Sequence, residues 1–379
     1  MPEWCLNGRR AIRLADLRCE TVARRADNRP TVSTNEQSDG APEAEVIGPG
    51  PAFGPLQTVS LENDRVRVVV VPALGARVIS FSDRFAAREW LVAGDPPADP
   101  DAWARHDAVF DGDVAYGWDE CLPTVGRCAD PLESAAPPLR DHGDQWGRPA
   151  EVTATGEVLV ATWSGGGWPY RFIRRLRLDG PRLVADYELV NHGERELPIL
   201  WSMHPLLALE PGARLDVEGL ASVRVTHATG IPIRPVPGHV AWPETPGADG
   251  PMIALDVVRE RGAGTALKLY GGWELYGSWD SVSGEGLPGV AAVHQPDGSA
   301  LELTWYAPIA PNLGLWLDDG GWPLAPATPR TQHALEPTTS PDDDLAAAIA
   351  NGRALMVAPA ERVAWSATFR VRAPGEPRT

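Results

Sequence analysis

A chain of 379 residues with 43% hydrophobic content is long enough to bury a sizeable core, as one large all-β domain or two smaller ones. Its formal net charge of -17 argues against non-specific attraction to nucleic-acid phosphates or anionic membranes. Cys5, Cys19, Cys121 and Cys128 are too few and too irregularly spaced for a disulfide scaffold, so reduced thiols are expected.

In chain order, residues 1–54 are expected to be an N-terminal extension and linker. The first 24 residues are Arg-rich and suit either a short amphipathic helix or an extension outside the domain; "TVSTNEQSDGAPEAEVIGPGPAFGP" is polar and rich in Gly and Pro. No continuous apolar region follows the charged N-terminal residues and no apolar run of about 18 residues occurs later, so export and membrane spanning find no support and the cytoplasm is the expected location. Residues 55–375 read as a single domain. Strands are expected at Val59 to Glu62 and Val66 to Val71, around the polar "ND" turn, and at Arg77 to Phe81. Further short runs follow: "EVLVATW", "YRFIRRLRL", "RLVADYELV", "LPILWSM", "ALKLYG", "WELYGSW", "SALELTWYA" and "RVAWSATFRV". Turn residues separate nearly all of them, which favours a large antiparallel sandwich over repeated βαβ units.

His192, in "NHGERE", reads as an exposed turn residue. One helix is expected in "SPDDDLAAAIANGR", capped by Ser340, with Pro341 at its first position and Gly352 closing it. No GxGxxG or GxxxxGK[ST] pattern offers a phosphate cradle, and no GxSxG elbow offers a serine nucleophile. Metal binding is disfavoured, because no HExxH pattern or compact His/Asp pair occurs; Asp111, Asp113, Asp119 and Glu120 could hold a hard cation but lack a loop pattern for one.

Four segments combine charge, aromatic residues and turns: "DGDVAYGWDECLPTVG", "RDHGDQWGRP", "LWSMHPLLALEPG" and "QHALEPTTSPDDDL". His142 can sit in an exposed ion network or, beside a glycine, approach a ligand and exchange a proton. His204 lies between an apolar run and Pro205, as a core residue or as a reactive group at a strand end. Glu336 can cap local backbone or serve as a carboxylate base. Glu210 reads as structural. The fifteen tryptophans build ordinary core, except that those beside polar clusters could stack on a sugar.

Taken in order, "DHGDQW", "WSMHPLLAL" and "HALEPTTSPDDDL" resemble the His-Gly region, the second histidine and the C-terminal carboxylate region of the aldose 1-epimerase (galactose mutarotase-like) family. The resemblance covers roughly residues 55–375. It implies a large antiparallel β-supersandwich with a few short helices, and interconversion of the α and β anomers of a free aldose without a cofactor or metal. His204 would protonate the ring oxygen, Glu336 would take the anomeric hydroxyl proton, and His142 would clamp the sugar. Arg77, Trp118, Asp119, Glu120, Trp146, Arg148, Asn312, Trp316 and Asp318 are the expected substrate contacts. The expected partner is a monosaccharide or sugar derivative, neutral by preference, bound by a monomer or homodimer. A noncatalytic carbohydrate-binding protein, or a lyase or glycoside-processing enzyme on a related sandwich, are the alternatives. The region before "DHGDQW" departs from the Arg-containing, glycine-rich pattern of common hexose mutarotases.

Overall fold

The computed structural model describes residues 46–248, 250–272, 288–323 and 328–377. The expected N-terminal extension up to residue 45 and the expected strand "WELYGSW" lie outside these residues. Within them the architecture is all-β, with two large antiparallel sheets and two short α-helices, Pro100–Ala104 and Leu345–Ala350. Among the described residues no helix is long and apolar enough to cross a membrane.

The larger sheet runs Val46–Pro49, Val59–Glu62, Val66–Val71, Arg77–Asp83, Trp118–Cys121, Ser202–Pro205, Thr331–Thr338, Asn312–Asp319, Thr265–Gly271, Ser222–Thr229 and Gly238–Ala241, with Arg88–Glu89 added beside Arg77–Asp83. The second runs Arg214–Val217, Gly289–His294, Ala300–Trp305, Arg362–Arg372, Arg182–Asn191, Tyr170–Asp179, Val158–Ser164 and Glu151–Thr155. Neighbours pair antiparallel throughout, as β-branched runs broken by tight turns require.

Between the sheets lies one continuous apolar core. Leu313, Leu315 and Leu317 alternate inward from one strand, and each such buried leucine contributes roughly 1.5–3 kcal/mol. On the facing sheet Tyr187 sits opposite Trp365, their rings stacked at 5.5 Å, and Trp201 meets Trp365 edge-on at 5.0 Å.

Three expectations need correction. "LPILWSM" is two short strands, Leu197–Ile199 and Ser202–Pro205, because Leu200 and Trp201 carry the chain from a small sheet into the large one. The C-terminal helix starts at Leu345, capped by Asp344, whose side chain accepts from the Ala347 amide. Ser340 instead donates to Asp342, a carboxylate that Arg353 and Asn351 also hold. Finally, two of the polar segments outside the expected strands contain central strands, Trp118–Cys121 and Thr331–Thr338.

Candidate functional site

Strand register builds the site. Val78 lies opposite Trp118, which sets Arg77 beside Asp119; Asp119 lies opposite His204. Ser202 opposite Thr338 and Leu207 opposite His333 belong to one unslipped register, which sets His204 beside Glu336. Glu336 lies opposite Gly314, Gly314 opposite Tyr270, and Tyr270 opposite Arg224. Directly opposed residues of an antiparallel ladder share a face. One polar row therefore crosses the sheet on the face turned away from the second sheet. His204 and Glu336 stand side by side in it, not on opposite walls of a cleft.

Contacts within the row fix protonation states. Arg77, fully buried, donates to Asp119 Oδ2 at 2.8 Å and to the carbonyls of Val114 and Tyr116 at 2.7 and 2.6 Å. Burial opposes ionisation of Asp119, but Arg77 and then His204 outweigh it and hold the carboxyl at about 2. A carboxylate only accepts, so the 2.8 Å contact between Asp119 Oδ1 and His204 Nδ1 places the histidine proton on Nδ1 and leaves Nε2 as the reactive nitrogen.

His142 arrives from a loop docked against the end of the Trp118–Cys121 strand. The Asp144 amide donates to the Leu122 carbonyl at 2.7 Å, and a Cβ on Gly143 would meet that carbonyl at 2.2 Å, so only glycine allows the approach. His142 itself holds φ +59°, a conformation costly outside glycine. Its ring lies 4.8 Å from that of His204. Burial disfavours its charge, yet Asp141 at 3.3 Å outweighs burial and raises its pKa. Phe110 stacks on His142 at 3.7 Å and meets His204 edge-on at 5.6 Å.

Glu336 pairs with Lys268 through Oε2, while its buried Oε1 has no partner among the described residues. Next to it a Cβ on Gly314 would meet Glu336 Oε2 at 2.9 Å, so the glycine leaves the carboxylate its room. Beyond Tyr270 a cavity of about 290 Å³ opens, lined among others by Ser222, Arg224, His239, Tyr270, Asn312 and Arg353. Asn312 is fully buried, and both its amide oxygen and nitrogen lack partners among the described residues.

Other expected contacts fall elsewhere. Trp118 points between the sheets, edge-on to Phe369 at 5.6 Å, so it has no face for a sugar. Glu120 points the same way: Arg174 and Tyr187 donate to its Oε1 at 3.0 and 3.1 Å and Trp201 donates to its Oε2 at 2.9 Å, while burial raises its pKa to about 7 against the pull of Arg174. Trp146 is fully buried against Phe110 and beneath the Arg140 guanidinium. Arg148 turns to Asp144 at 3.5 Å. Arg77 buttresses Asp119 from beneath the 110–117 loop. Asp318 faces the site side but accepts from the amides of Gly320, Gly321 and Trp322, which makes it a turn anchor; burial raises its pKa to about 7 despite those bonds. Trp316, half-buried on the site face and edge-on to Trp322, keeps an indole surface open. Asp111 and Asp113 are exposed, and Asp119 and Glu120 point to opposite faces, so the four acids form no common cation site.

The sequence reasoning missed Lys268, Phe110 and Cys121. Lys268 had a signal: it is the single lysine in a chain whose other cationic side chains are arginines. Phe110 and Cys121 had none, since only the fold brings them to the histidines.

No protein-family model matches the chain, and no curated protein matches it. Solved structures do. A protein of Synechocystis sp. PCC 6803 superposes with a TM-score of 0.56 at 17% identity, covering 89% of this chain and 99% of that one. A galactose mutarotase-like protein from Clostridium acetobutylicum gives 0.54 at 11%, covering 87% and 99%, and another from Lactobacillus casei gives 0.52 at 17%, covering 83% and 100%. Likeness at such identities speaks for backbone architecture and leaves chemistry to the site itself. This chain has the galactose mutarotase-like fold.

Proposed function

We propose that this chain is an aldose 1-epimerase-like enzyme that interconverts the anomers of a free monosaccharide by general acid-base catalysis. The supporting observation is the row in which Asp119, His204 and Glu336 follow one another across three paired strands. In this reading a protonated His204 Nε2 gives its proton to the ring oxygen, while Asp119 on Nδ1 stabilises the imidazolium before transfer. Glu336 takes the proton of the anomeric hydroxyl through Oε1, as Lys268 occupies Oε2. His142 and Lys268 offer donors to the developing charge. The bond between C1 and the ring oxygen opens, rotation about C1–C2 presents either carbonyl face, and reclosure reverses the two proton transfers. Asn312 donates to and accepts from hydroxyls in the adjoining cavity, and Trp316 stacks on the sugar's C–H face.

Polarimetry or NMR exchange on freshly dissolved α-glucose and α-galactose, followed by a wider panel of free sugars, tests the reading. Acceleration that disappears in His204→Ala and Glu336→Ala is the expected result; a panel without any acceleration defeats it. Noncatalytic carbohydrate binding is the second reading, favoured by one observation: Lys268 already engages the carboxylate that would act as base. Saturable sugar binding without anomer exchange would select it.

A further inference from the structure

We propose that Cys121, His142 and His204 form a binding site for a single zinc ion. Cys121 Sγ and one ring nitrogen of each histidine lie within 4.8 Å of one another. Cys121 shares the site face of its strand with Asp119, and its neighbour across the ladder, Ser202, lies two residues before His204. The loop docked on Leu122 brings His142 to the same point. Closing three such atoms around one ion asks for shifts of about an ångström, given that zinc–ligand bonds run at roughly 2.0–2.3 Å.

Two features outside the three ligands point the same way. His142 Nδ1 lies 3.3 Å from Asp141 without hydrogen-bond geometry, while His204 turns Nδ1 to Asp119 in a hydrogen bond at 2.8 Å. A histidine held in this way presents Nε2 as a lone-pair donor, the arrangement that orients and strengthens metal-ligating histidines. Phe110 packs on both rings and limits their rotation. One thiolate and two imidazoles suit zinc, with the fourth position left for water; a hard cation would need several oxygens that the trio does not offer.

Binding exchanges a proton. Zinc displaces the thiol proton of Cys121, which leaves to solvent as the Zn–S bond forms, and the two neutral imidazoles donate lone pairs without losing protons. Occupancy would also take the Nε2 that His204 needs for proton transfer. That inhibitory consequence rests on the mutarotase reading, whereas binding itself does not.

The test uses the full chain, stripped with chelator and titrated with Co²⁺ as a spectroscopic probe, then displaced by Zn²⁺. One metal per chain is expected, with tetrahedral ligand-field bands and a thiolate-to-cobalt charge-transfer band. Cys121→Ser should abolish the charge-transfer band although Cys5, Cys19 and Cys128 remain. Asp119→Asn, which weakens the hold on His204 Nδ1, should reduce zinc affinity roughly 10- to 100-fold. Circular dichroism checks folding; if Cys121→Ser does not fold, His142→Gln replaces it, with the ligand-field bands expected to collapse. No stoichiometric metal in the parent chain, or a charge-transfer band that survives in folded Cys121→Ser, overturns the site. Zinc binding in a protein that accelerates no anomer exchange would uphold the site while the mutarotase reading fails.

Discussion

Trp118 and Glu120 leave their strand on one side, Asp119 and Cys121 on the other, and all four are buried. On the inner side Glu120 is closed off, its two oxygens taken by Arg174, Tyr187 and Trp201. On the outer side Glu336 holds Lys268 with one oxygen and leaves the other without a partner among the described residues, next to His204. Both are buried carboxylates paired with a cation. The difference is residual bonding capacity of the carboxylate: a fully bonded one specifies packing, whereas one with a free oxygen in the same burial retains its affinity for an incoming ligand.

The sharpest way to break this comparison is to remove members of the outer row. His204→Ala and Glu336→Gln, the second of which keeps an acceptor for Lys268, should each slow anomer exchange by roughly 10² to 10⁴-fold while the thermal melt stays near that of the parent. A large stability loss with turnover per folded molecule intact would reverse the roles of the two faces.

The inner network should answer in stability instead. Glu120→Ala leaves Arg174 buried without its carboxylate and should cost about 3–5 kcal/mol in urea unfolding, with exchange per folded molecule retained. An unchanged midpoint would mean that the network does not hold the sheets together.

Acid and alkali should separate the two carboxyls. Asp119, held at about 2 against an ordinary 3.8, contributes stability that is present above pH 4 and lost as pH falls through 2, about 2 kcal/mol. Glu120, raised to about 7 from 4.5, contributes with the opposite sign: its share is fully present below pH 4.5 and lost as pH rises through 7. Unfolding free energy measured across pH in Asp119→Asn and Glu120→Gln should lose the acid and the neutral slope, respectively.

The smallest effect is expected at Asn312. Asn312→Ala removes two buried polar atoms that have no partner among the described residues, so stability should hardly change. If the amide binds sugar hydroxyls, KM should rise roughly 5- to 10-fold, near 1 kcal/mol, with kcat unchanged.

Much of the fold could be read directly from residue pattern. Val59–Glu62 and Val66–Val71 begin and end where β-branched runs meet turn residues, and "YRFIRRLRL" and "RLVADYELV" pair as the hairpin that their spacing implies. The strands Trp118–Cys121 and Thr331–Thr338 escaped because they carry Asp, Glu, His and Gln, which normally mark loops. Such residues can occupy central strands only where neighbouring strands supply their partners, as Arg77 does for Asp119.

For the site, the sequence named His142, His204 and Glu336 but misjudged several surroundings. Trp118 and Glu120 adjoin Asp119 in the chain and point away from it in space, because successive strand residues alternate faces. Alternation identifies the core side only when the other side is wet, and here both sides are covered. Lys268 sits 68 residues from Glu336 and Asp119 85 from His204, separations across which no local pattern operates.

By itself, then, the sequence determined that the chain would be an antiparallel sandwich, since turn chemistry and β propensity act over a few residues. Only the tertiary structure decided that Asp119, not Glu120, meets His204, that the single lysine sits on Glu336, and that Cys121 joins the two histidines. Those outcomes follow from strand register, and register is set by the summed packing of two whole sheets rather than by the residues that it brings together.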